Sequence, residues 1–142
     1  MDDRGLGGAR RILARLDRGD EVIESLTSLC RTRGIGCASL SGIGAVEDAE
    51  IGYYDLPSFA YQTQRIEGIC ELLSLAGNVA LVDGEPFVHA HVVLGRRDLS
   101  TVGGHLVSAR VGVTVEVFVD VMEGEIARAH DPEVRLKLLR LR

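Results

Sequence analysis

Three of the four histidines in the sequence, His89, His91 and His105, fall close together. Imidazoles gathered in this way suit a zinc-like divalent ion. His89 and His91 stand two apart in a stretch, 87–94, that reads as a β-strand. Side chains alternate across a strand, so both rings share one face. A second strand, 104–111, carries His105. Opposed residues of an antiparallel pair keep a constant index sum. An even sum turns His105 to the face of His89 and His91, and an odd sum turns it away. The connection from 95 to 102 admits either, and a bulge at Gly103-Gly104 would change the parity. With even parity, three neutral imidazoles converge and leave a fourth position open for Zn²⁺ or a similar ion. The plainer alternative is three separate surface or hydrogen-bonded histidines.

Glu116 is the next candidate. It lies on the polar face of a valine-rich strand beside Thr114. It could be a fourth ligand, a partner for a histidine N–H, a general base, or a solvated carboxylate. Glu71 interrupts an apolar run, and burial there would call for a partner such as Arg65 or Arg110. His130 sits in a polar stretch before Asp131-Pro132 and reads as ordinary. Gly42 and Gly44 form no phosphate loop, because neither G-x-x-x-x-G-K-[ST] nor G-x-G-x-x-G opening a helix is present. A turn or bulge explains them. Arg96-Arg97 could meet an anion but has the setting of a solvated turn. There is no nucleophile elbow and no cysteine in a catalytic motif.

The elements that must position these residues are mostly strands. One helix is clear. Val22, Ile23, Leu26, Leu29 and Cys30 repeat at helical spacing, Asp20 is the expected N-cap, and Gly34 ends the run. A first strand spans 10–16, with Ile12, Ala14 and Leu16 on one face. Further strands are expected within 36–45, 46–54, 61–68, 78–85, 87–94, 104–111, 113–121 and 134–141, and 69–76 is an apolar run broken by Glu71 and Ser74. The strict alternation of Val113, Val115, Val117, Val119 and Val121 is the strongest period-two signal. Asp83-Gly84 reads as a tight turn. The expected architecture is α+β, a mainly antiparallel sheet with one covering helix. Residues 1–9 are expected to be a flexible terminus, and 10–142 one domain.

Composition narrows the function classes. The 142 residues carry a formal charge of −5, with 46% hydrophobic and 26% charged residues, which describes an ordinary globular domain. A generally basic DNA-binding surface is disfavoured. A local patch from Arg10, Arg11, Arg15, Arg135, Lys137, Arg140 and Arg142 is the remaining route to DNA. Cys30, Cys37 and Cys70 have neither zinc-knuckle nor disulfide spacing and read as reduced, buried thiols. No stretch approaches the ~20 apolar residues of a membrane span. No secretory signal is expected, and the expected location is cytoplasmic.

Several motifs occur in one order: Leu40-Ser-Gly-Ile-Gly-Ala45, Glu71-Leu-Leu-Ser-Leu-Ala-Gly77, Pro86-Phe-Val-His-Ala-His-Val92, Gly103-Gly-His-Leu106 and Thr114-Val-Glu116. The ordered set resembles the PPC (also PCC) domain of plants and prokaryotes, over about residues 10 to 141. The resemblance implies an antiparallel sheet with a covering helix, and a homotrimer. It also implies a metal site at His89, His91 and His105, of the prokaryotic stand-alone type. Plant members join the domain to AT-hooks, and no such segment occurs here, so direct DNA binding loses its main physical support. Two functions follow. One is an oligomeric binding module of a family linked to DNA binding and regulation, with a protein partner or DNA. The other is a small zinc-dependent enzyme that uses the three histidines to activate water or polarise a carbonyl, with Glu116 as base.

Overall fold

The valine alternation runs through the centre of the fold. In the computed structural model, which describes the backbone of residues 2–6 and all of residues 10–141, Val115, Val117 and Val119 are fully buried. They belong to β6 (Thr101–Val121). Before it come β1 (Asp2–Leu6), β2 (Arg11–Asp17), α1 (Val22–Arg33), β3 (Ala38–Asp55), β4 (Ala60–Val82) and β5 (Glu85–Gly95). After it come β7 (Arg128–Asp131) and β8 (Leu136–Leu139). Of the segment expected to be a flexible terminus, residues 2–6 pair with β2, and residues 1 and 7–9 lie outside the described residues. The expected α+β arrangement, mainly antiparallel with one covering helix, is present.

The strands are fewer and longer than the sequence pattern suggests. β3, β4 and β6 run for 18, 23 and 21 residues through positions that read as turns. Those positions are bulges. Register shifts fall between Gly42 and Gly44 and between Glu47 and Ala49. At the second shift Asp48 and Gly68 have φ of 52° and 77°, and the Asp48 carboxylate accepts the Gly68 N–H at 3.1 Å. A bulge bends a strand without ending it. The bent strands curl, and β6 pairs with β5 as well as with β3 and β2. The ring β6-β3-β4-β5 therefore closes on itself, with β2 and β1 extending from β6. Closure removes a sheet edge that would otherwise be open.

The helix covers this sheet. Val22, Leu26, Leu29 and Cys30 are buried, and α1 packs on β5 and β6. Gly34 caps its end in the left-handed conformation, as its position suggests. The N-cap is Glu21, not Asp20. Glu21 has extended backbone, and its Oε2 accepts the Glu24 N–H at 2.6 Å. Its Oε1 accepts the Ala109 N–H at 3.0 Å, so one carboxylate ties the helix start to β6. Asp20 instead accepts the Asp17 N–H in the preceding turn. The three cysteines are free and buried, and burial pushes the Cys30 thiol up to about 11.

Replacing Glu21 with Ala removes the cap and leaves the Ala109 N–H without its acceptor. The expected loss is about 1–2 kcal/mol, read from the urea midpoint. An unchanged midpoint would contradict the double role.

Candidate metal centre

Closure of the sheet brings the histidines together. β5 and β6 pair only from His91↔His105 to Gly95↔Thr101. His91 and His105 face each other directly, so the index sum is even, and no register shift occurs at Gly103 or Gly104. His89 lies beyond the seam, opposite Asn78 on β4. Two glycines make room for this. A Cβ on Gly103 would stand 2.7 Å from the Val92 carbonyl oxygen, and one on Gly77 would stand 2.4 Å from that of His89. Only glycine lets the strands flanking β5 approach so closely.

The three rings form a compact group. Ring centroids are 5.1 Å apart for His89 and His91, 5.1 Å for His89 and His105, and 5.5 Å for His91 and His105. One nitrogen from each lies within 4.8 Å of the others. Three nitrogens on one zinc at ~2.0 Å stand about 3.3 Å apart, so side-chain rotation alone can close the set. His105 Nδ1 is buried without a hydrogen-bond partner. A bound cation would satisfy such an atom. The donor set and the orphaned nitrogen both fit a divalent ion.

The surroundings are aromatic and cationic. Tyr61 lies against His105 at 5.0 Å between centroids. The β7–β8 hairpin reaches over the site. Arg128 donates from Nη2 to Asn78 Oδ1 at 2.7 Å and to His89 Nδ1 at 3.2 Å. A guanidinium can only donate, so His89 Nδ1 accepts. The hairpin is held at several points. Tyr54 donates its hydroxyl to the Val134 carbonyl at 2.6 Å, Arg135 lies over the Phe59 ring at 4.2 Å, and Lys137 pairs with Asp83 at 2.8 Å.

This environment favours the neutral form of His89 and His105. Burial, then the charge of Arg128, then the other two histidines push His89 down to about 4. Burial, with His91 adding to it, also lowers His105. A neutral imidazole is the form that binds a metal.

The other candidates stand elsewhere. Glu116 is exposed and lies opposite Arg15 of β2 and Ile43 of β3, outside the histidine group. Glu71 is exposed, so it needs no buried partner: strand alternation turns it outward between the buried Cys70 and Leu72. His130 is an exposed β7 residue opposite Lys137. Of the basic residues considered for DNA, Arg11 pairs with Asp120, Arg15 with Asp17 and Lys137 with Asp83, while Arg142 lies outside the described residues. Sequence reasoning missed Asn78, Tyr61 and Arg128. The β4–β5 register would give Asn78, but nothing near Arg128 in sequence marks it.

Residues 4–123 match the family profile of the Plants and Prokaryotes Conserved (PCC) domain. The hairpin that carries Arg128 lies beyond that span. A plant- and prokaryote-conserved (PPC) protein from Pyrococcus horikoshii has the same fold, with a TM-score of 0.87 and 36% identity over 93% of this chain and 92% of that one. A metal-containing protein from Archaeoglobus fulgidus gives a TM-score of 0.87 and 38% identity over 99% of each chain. A candidate DNA-binding protein from Ralstonia eutropha JMP134 gives 0.86 and 31% over 92% of this chain and 91% of that one. No curated protein matches the sequence. Among the described residues no helix is long and apolar enough to cross a membrane.

The depressed His89 has a consequence for the metal-free protein. Between its ordinary value of 6.5 and about 4, the unfolded chain binds a proton that the folded chain does not. Stability therefore falls as pH is lowered through that window. Urea midpoints of chelator-treated protein should decline across it, and His89→Gln should decline less. Equal declines in the two proteins would contradict the buried, neutral ring.

Proposed function

The chain belongs to the Plants and Prokaryotes Conserved (PCC) domain family, and from that premise we propose that it is a homotrimeric binding module built around a divalent-metal site at His89, His91 and His105. The observation that carries this reading is the direct opposition of His91 and His105, with His89 joining them within 4.8 Å. The orphaned His105 Nδ1 supports it. So does the 38% identity to the metal-containing Archaeoglobus protein. Three neutral nitrogen ligands with an open position favour zinc among the common divalent ions.

Oligomerisation has its own support. Ile43, Leu73 and Val113 are 59%, 50% and 62% exposed and line one depression on the outer sheet face. Apolar surface of this kind is commonly covered by another chain, and three is the number that the family resemblance implies. Residues 10–142 act as one domain, with the β7–β8 hairpin as part of it. The free, buried thiols fit a reducing, cytoplasmic setting. A protein partner suits this module better than direct DNA binding, because carboxylates pair with three of the candidate basic residues.

A zinc-dependent enzyme is the second reading. It is favoured by the absence of a carboxylate or cysteine from the three-histidine group among the described residues. When bound, the ion would supply Lewis acidity at its open position. Glu116, the candidate base, lies on β6 outside the histidine group.

Native mass spectrometry of untagged protein, purified without chelator, tests both parts. The expected species is a trimer with one divalent ion per chain, and His105→Ala should lose the ions and keep the trimer. Monomers at micromolar concentration would overturn the assembly. Ions retained by His89→Ala, His91→Ala and His105→Ala would overturn the site.

A further inference from the structure

Arg128 occupies an unusual position for a charged side chain. It is half-buried, and its neighbours are neutral. Nη1 donates to the Lys137 carbonyl at 3.0 Å, and Nη2 meets Asn78 Oδ1 and His89 Nδ1. Its Nε–H is buried without a partner. Phe87 offers a ring face at 5.7 Å. A guanidinium has five N–H groups, and these contacts occupy only part of them. No carboxylate among the described residues forms an ion pair with it, and Asp83 pairs with Lys137 of the same hairpin.

The histidine group has the same deficit. It holds three imidazole rings, and no carboxylate belongs to it among the described residues. A neutral imidazole offers one lone pair, so a divalent ion bound by His89 would end the Nη2–Nδ1 contact and stand beside the released guanidinium. The site would carry the ion's two charges and that of Arg128 with no protein anion to balance them. Partial burial weakens solvent screening, so such an excess strongly favours an anion. His91 is exposed and leaves the group open to solvent on that side. Tyr61 and Phe87 form flat walls beside it.

We propose that the metal-loaded site binds a small oxyanion, which balances the ion at its open position and accepts hydrogen bonds from Arg128. This rests on the metal reading above and gives that site a ligand class. Arg128 is then the residue that selects for negative charge. It is supplied by the β7–β8 hairpin, beyond the segment that matches the family profile.

The test is titration of apo protein with Co²⁺, followed by visible absorption, in a buffer of non-coordinating ions. It is run alone and with acetate or sulfate, on wild type, Arg128→Met and Arg128→Lys. Anion and metal must raise each other's affinity by the same factor. In wild type, acetate or sulfate should tighten Co²⁺ binding about tenfold or more, as expected for a charge-assisted hydrogen bond. The two anions tell a planar carboxylate from a tetrahedral oxyanion. Arg128→Met should bind Co²⁺ at least as tightly without anion and gain little from it, and Arg128→Lys should keep part of the gain. Co²⁺ binding with an equal or absent anion effect in wild type and Arg128→Met would overturn the proposal and leave the metal site standing. No Co²⁺ spectrum in wild type would overturn both.

Discussion

The short pairing of β5 with β6 is the constraint on which the rest depends. It closes a bent sheet into a ring, and its first pair is His91 with His105. A slip of one residue there would turn His105 into the core and Leu106 out of it. Register is strongly held wherever one face of a strand is buried. Val88, Ala90, Val92 and Leu94 on β5 and Leu106 on β6 are buried, so the hydrophobic core fixes the histidine face. The same packing that stabilises the ring thus aims three imidazoles at one point.

Electrostatics then separates this group from three ordinary histidines. The rings lie on the outer face of the ring of strands, yet His89 and His105 are half-buried and Arg128 of the β7–β8 hairpin lies against His89. Cover and a neighbouring guanidinium keep His89 neutral, and burial does the same for His105. The result is an electron-rich set of nitrogens with no acidic ligand, beside a fixed positive charge. Such a set binds a cation through neutral donors and leaves the surplus charge to a ligand from solution. The hairpin therefore acts on the site by supplying Arg128.

Much of this was legible in the sequence, and the gaps have physical causes. The H-x-H pair fixed a common face for His89 and His91, because strand periodicity is two. The parity of His105 could not be read, since Gly103-Gly104 could have held a bulge and does not. The bulges at Gly42–Gly44 and at Gly68 look like strand ends in sequence, because glycine marks a turn and a bulge alike. Three long strands were therefore read as several short ones. Glu21 displaced Asp20 as the cap because its longer side chain also reaches Ala109 on β6, a tertiary contact without local trace. Arg128 arrives from 39 residues beyond His89. Only the folded hairpin brings it there.

The central claim is that one ion binds among His89, His91 and His105. Crystals of the protein grown with zinc, with data collected on both sides of the zinc absorption edge, test it most directly. One anomalous peak per chain should appear among the three rings, about 2.0 Å from a nitrogen of each. A map with no peak there, or a peak held by other residues, would contradict the account.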